Sequence, residues 1–171
     1  MAFYIELIKT YEDEHVANYR FGSDETSVGS LTIRKSNGVL AENMGGVPKG
    51  YQAHRLVMSS LGQKSEALQY LAQQGLYDVN RASNGLVLPS NEFLALADEM
   101  PLHRGYHGAE YRGAVSDGLN RLDIALQKGA SDTNLLMRVD RLEQSLSRRV
   151  LNGDLWLNNR DAQLIKLGPF K

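Results

Sequence analysis

The period of the hydrophobic pattern changes between residues 42 and 51, and that change constrains the fold more than any other feature. In residues 16–21, Val16, Asn18 and Arg20 alternate with Ala17, Tyr19 and Phe21, the period of two expected of a half-buried strand. Residues 3–9 are rich in aromatic and β-branched side chains, and Glu12-Asp13-Glu14 makes a polar corner before the second run. Residues 29–35 alternate in the same way. Ser36-Asn37-Gly38 reads as a hairpin-type turn leading into a further strand at Val39-Leu40. A small antiparallel meander is expected over residues 1–48, ending in a glycine-rich linker at 44–50. With three or four short strands it is too small to stand alone and is expected to pack on the helices.

Beyond the linker, helical spacing dominates. Residues 65–74 place Ala67, Leu68, Leu71 and Ala72 on one face, with Gly75 as the stop. Leu86-Val87-Leu88 reads as a short strand between Asn84-Gly85 and Pro89, and residues 91–100 as a short helix. A longer helix is expected from about His107 to Lys128, carrying Tyr111, Ala114, Val115, Leu119, Leu122 and Leu126 at helical spacing. Ser131 or Asp132 would cap a last helix to about Leu151, with Leu135, Leu136, Val139, Leu142 and Leu146 on its apolar face. The fold class is α+β, a β-rich segment of 1–48 followed by a mostly helical domain around a small strand pair. The domain proper is expected over 49–128, with 129–171 a helix and tail packed on it.

A chain of 171 residues with 42% hydrophobic residues can bury a core without staples. It has no cysteine, which excludes disulfides, zinc–thiolate sites and thiol nucleophiles. The formal charge of −1 argues against indiscriminate binding to nucleic acid. Residues 1–48 hold seven acids and four bases, residues 49–171 thirteen acids and fifteen bases, so the basic excess lies with most of the histidines. No apolar run suffices to span a membrane. The first residues do not resemble a signal peptide. The expected location is cytoplasmic, or outside by a route without a cleaved signal.

Three of the four histidines fall in two short segments, His54 in 51–57 and His103 with His107 in 101–107. Imidazole is the commonest transition-metal ligand and the commonest base near neutral pH. A compact phosphodiester-cleaving site needs little more. One strand His and one or two at a helix hold a divalent cation, a polar neighbour of the strand ligand deprotonates water, and an Asn orients that base. His54, His103 and His107 are the candidate ligands, and Asn84 sits at the turn into the second strand. Each has a plainer role open to it: His54 as a structural strand histidine, His103 and His107 as capping or surface residues, Asn84-Gly85 as a turn. His15 lies outside the cluster and reads as incidental.

Ala53-His54, the later Asp78-x-Asn80-x-Ala82-x-Asn84-Gly85-Leu86-x-Leu88-Pro89 and His103-x-Gly105-x-His107 together resemble the AHH nucleases of the HNH/endonuclease VII superfamily, over roughly residues 50–125. The family's members are often bacterial toxin domains. The resemblance implies an HNH-like domain of the ββα-metal type and one divalent ion (Mg, Mn or Zn) held by His54, His103 and His107. It implies a nucleic-acid substrate and, for a toxin, a cognate inhibitor protein; it implies no membrane partner and leaves the oligomeric state open. The namesake triplet reads Ala53-His54-Arg55 here. The resemblance puts a metal-side residue at His54 and the general base where Arg55 stands. Arginine stays protonated, so Arg55, with Arg104, is expected on phosphate. The base would then come from elsewhere, from His107 or from a metal-bound hydroxide, with Asn84 orienting. The alternative is a nuclease-like module that binds nucleic acid or a protein without cutting; a third reading is an adaptor.

Overall fold

The computed structural model describes residues 7–12, 16–21, 29–34, 36–103 and 107–158, with side chains from residue 38 onward. Three strands, β1 (Leu7–Glu12), β2 (Val16–Phe21) and β3 (Gly29–Arg34), form an antiparallel sheet in the order β1-β2-β3. Val16 pairs with Arg34 and Phe21 with Gly29. A bulge between Lys9 and Tyr11 shifts the β1–β2 register. The alternation in the sequence thus becomes the expected meander. His15 and the expected covering of the sheet by the helices lie outside the described residues and side chains.

The expected strand at Val39-Leu40 is instead a helix, α1 (Ser36–Asn43). Leu40, Ala41, Met44 and Val47 follow helical spacing, and Leu40 and Ala41 bury against Ala53 with Met44 and Val47 packed around them. A glycine inside a helix costs about 1 kcal/mol. Burying one leucine contributes roughly 1.5–3 kcal/mol, so the tertiary stripe overrides the local Asn-Gly turn signal.

A second, two-stranded antiparallel sheet pairs β4 (Tyr51–Arg55) with β5 (Gly85–Pro89), Gln52 opposite Leu88 and His54 opposite Leu86. Between them run α2 (Ser59–Gly62), α3 (Glu66–Gln73) and one turn of 3-10 helix (Ala82–Asn84). After β5 come α4 (Glu92–Ala97), α5 (Ala109–Gln127) and α6 (Asp132–Leu151). Ser65, Asn91 and Ser131 cap α3, α4 and α6 through their side-chain oxygens. Helix α3 ends as its sequence signals. Gly75 has φ +69, its N–H bonds Ala72 O, and the N–H of Leu76 bonds Leu71 O, the paired closure of a Schellman motif.

One core gathers Leu56, Val57, Leu68, Leu71, Leu88, Tyr111, Val115, Leu122, Leu135, Val139, Leu146 and Val150. Helices α5 and α6 approach closely at Gly118, where an added Cβ would lie 2.3 Å from a methyl of Leu142. Among the described residues no helix is long and apolar enough to cross a membrane. The architecture is α+β, with a ββα unit made by β4, β5 and α5.

A candidate metal centre of three histidines

The period of two places Gln52 and His54 on the same face of β4. His103 follows α4, and its backbone N–H bonds Pro89 O at 2.8 Å, which fastens it to the end of β5. His107 sits just before α5, where the N–H of Gly108 bonds Leu157 O at 2.7 Å. These anchors bring two segments some fifty residues apart in the chain onto one imidazole cluster. The ring centroids of His54 lie 4.8 Å from His103 and 5.0 Å from His107. One nitrogen from each ring lies within 4.8 Å of the others.

Partners of the rings shape the cluster. His54, 1% exposed, has Nε2 2.9 Å from the Tyr111 hydroxyl and Nδ1 3.3 Å from Nε2 of His107. The Tyr111 hydroxyl donates to Leu56 O at 2.8 Å. Nδ1 of His103 lies 3.0 Å from Oε1 of Gln52. The Tyr111 ring also stacks on His107, centroids 5.1 Å apart.

Burial keeps the imidazoles neutral. It is the main cause holding His54 well below the usual histidine range, reinforced by His103, His107 and Arg55. Burial, then His107, pushes His103 down to about 4, and burial followed by Arg112 lowers His107. Three neutral imidazoles with converging nitrogens are a donor set for a borderline transition ion such as zinc. Two ligands on a tetrahedral ion with bonds of about 2.0–2.1 Å stand about 3.3–3.4 Å apart. The His54–His107 separation matches that edge, the three ligand atoms lie within 4.8 Å of one another, and in donor chemistry the residues present fit a divalent ion.

Arg55 and Asn84 lie elsewhere. Side chains of neighbouring strand residues alternate in direction, and the guanidinium of Arg55 bonds Asn80 Oδ1, beside Tyr77 and Asp78. Arg55 is 8% exposed. Asn84 is fully buried. Its Oδ1 accepts from Val57 N at 2.7 Å, and its Nδ2 donates to Val57 O at 3.1 Å and Val79 O at 2.8 Å. All three bonds go to backbone, so Asn84 locks the chain leaving β4 to the loop before β5. The histidines come together; Asn84 braces the scaffold that carries one of them. Arg104 and Gly105 lie outside the described residues.

Two residues of the cluster escape a motif-based reading. Tyr111 was legible only as part of an apolar helix face, and Gln52 carried no signal at all. Gln52 lies two residues before His54, the spacing that shares a strand face, and Tyr111 stands in the first turn of α5, four residues after His107. Arg112 adds a solvent-exposed cation near His107.

Residues 36–146 match the model of a family described as a nuclease family of the HNH/ENDO VII superfamily with conserved AHH. No curated protein and no solved structure gave a significant match. Ala53 and His54 keep the first two letters of the motif, and Arg55 stands at the third.

Proposed function

The chain belongs to the AHH nuclease family of the HNH/ENDO VII superfamily, and on that premise we propose that it is a metal-dependent endonuclease hydrolysing phosphodiester bonds in DNA or RNA. The observation that carries the reading is the convergence of His54, His103 and His107, all kept neutral by burial. These three residues would hold one divalent ion, Mg, Mn or Zn. When bound, the ion supplies Lewis-acid stabilisation of charge on phosphate oxygens and lowers the pKa of water. The chain's own residues hold the three imidazoles in place from β4, the end of β5 and the entrance to α5. Arg112, exposed and near enough to His107 to act on its charge, would meet a phosphate of the substrate. Arg104 remains a second candidate for that task.

The test is cleavage of plasmid DNA and total RNA by the purified protein with Mg²⁺, Mn²⁺, Zn²⁺ or EDTA, beside a His103→Ala, His107→Ala double variant. Metal-dependent cutting that the double variant lacks supports the reading; no cutting under any condition overturns it.

A second reading rests on Arg55. A protonated guanidinium cannot take a proton from water near pH 7, and in this chain it is engaged with Asn80. The protein would then bind nucleic acid or a protein partner without cutting. Under that reading the wild type binds nucleic acid or a protein partner and shows no metal-dependent cutting; metal-dependent cutting by the wild type excludes it. A toxin role with a cognate inhibitor protein rests on the family resemblance, and growth arrest on expression in a bacterial host, abolished in the double variant, tests it.

A further inference from the structure

Among the described residues, the Tyr111 hydroxyl, with its one proton, has two hydrogen-bond partners. Leu56 O, a backbone carbonyl, can only accept, so the hydroxyl proton goes to it across 2.8 Å. The Tyr111 oxygen is then an acceptor toward Nε2 of His54, 2.9 Å away. Nε2 must therefore carry the ring proton, which leaves Nδ1 with its lone pair toward His107. We infer that Tyr111 is a positioning residue that selects the Nε2–H tautomer of His54, making Nδ1 the ligand atom this strand offers to the ion.

Several features support the assignment. Tyr111 is 0% exposed, so water does not compete for its hydroxyl. It stands on α5, the helix that His107 precedes, and its ring packs edge-on to His54 and stacked on His107. One side chain thus locates two of the three imidazoles and fixes the proton of one. Gln52 stands in the corresponding place for His103, its Oε1 accepting from Nδ1–H at 3.0 Å, which leaves Nε2 of His103 as the ligand atom. Hydrogen bonds of this kind from outside the ligand set fix ring orientation and tautomer in metal sites, and their loss typically weakens metal affinity 10–100-fold.

The inference deepens the metal-centre reading and rests on it, but its first readout needs no metal. Long-range ¹H–¹⁵N correlation of the histidine side chains in the metal-free wild-type protein reports which ring nitrogen of His54 is protonated. Nε2–H is expected; Nδ1–H overturns the assignment whatever the metal does. The second readout is calorimetric titration with Zn²⁺ of the wild type and of Tyr111→Phe, which keeps the ring and removes the hydroxyl. A 10–100-fold loss of affinity is expected, with the His54 ¹⁵N signals shifted toward a mixture of tautomers. Unchanged affinity and an unchanged tautomer in folded Tyr111→Phe overturn the role. Should that variant not fold, the wild-type tautomer alone decides. Wild-type protein with His54 as Nε2–H that binds no Zn²⁺ leaves the tautomer assignment standing and removes the metal reading instead.

Discussion

The amide of Asn84 and the backbone of Val57 meet in two reciprocal hydrogen bonds, N–H to Oδ1 at 2.7 Å and Nδ2 to O at 3.1 Å. That closed pair, with a third bond to Val79 O, sets where the chain goes after β4 and thereby how His54 enters the cluster. Removing it leaves buried backbone groups without partners, at about 1–3 kcal/mol for each unsatisfied group. Asn84→Ala is expected to destabilise the protein by on the order of 3 kcal/mol, read by urea denaturation. Any loss of cleavage should follow the loss of folded protein. A fully stable Asn84→Ala that has lost cleavage would make Asn84 a participant in the chemistry.

Arg81 reaches across to α6 and meets Glu143 at two points, 3.0 and 2.6 Å, with Asp140 at 2.7 Å. Glu143 is 1% exposed, so the pair ties the loop before β5 to the last helix from inside. Breaking a buried pair costs about 3–5 kcal/mol. Arg81 is partly exposed and keeps Asp140, so Glu143→Ala is expected to cost roughly 2–3 kcal/mol. Thermal and denaturant unfolding check this; a change below about 0.5 kcal/mol would show the pair to be no better than a surface bridge.

The imidazoles also set a pH dependence. In the unfolded chain histidine titrates near 6.5; in the folded protein burial lowers all three, His103 to about 4. As pH falls below about 6.5 the unfolded state binds more protons than the folded one, so folding stability declines. The decline continues toward pH 4. Melting temperature measured in EDTA between pH 7.5 and 4.5 should therefore drop, and more steeply than in His103→Gln, which lacks one of these groups. Equal slopes would show that His103 is not buried as a neutral imidazole.

Metal should act in the opposite sense. A ligand that binds only the folded state at one hundred times its dissociation constant adds about 2.7 kcal/mol. Zn²⁺ at that excess is expected to raise the melting temperature of the wild type near pH 7 and to leave His54→Ala unmoved. A similar rise in His54→Ala would place the ion elsewhere.

Arg55 separates the scaffold from the centre. Its guanidinium bonds Asn80 across the sheet from His54, so Arg55→Ala should destabilise by about 1–2 kcal/mol and leave Zn²⁺ affinity within a few-fold of the wild type. An affinity loss above ten-fold, measured by titration, would bring Arg55 into the centre itself.

Much of this was present in the residue pattern. The period of two in 16–21 and 29–34 marks β2 and β3, and the 3.6-residue spacing of Leu135, Val139, Leu142 and Leu146 marks α6, whose pattern is the projection of one buried face. Ser65 and Gly75 bracket α3 for reasons local to the backbone. The three histidines are legible as a set, since few other residue types bind a transition ion in a chain without cysteine. The Ser36–Asn43 helix was not legible. Its turn signal is local, whereas the burial of Leu40 and Ala41 against Ala53 exists only once β4 is in place. The roles within the cluster were likewise decided by tertiary structure. Which nitrogen His54 offers depends on a hydroxyl 57 residues away and on the carbonyl that takes its proton. Whether Asn84 faces the chemistry or the backbone depends on where Val57 and Val79 come to lie. Sequence alone chose the chemical types; folding chose their partners, because hydrogen-bond direction is a property of three-dimensional neighbours and not of spacing along the chain.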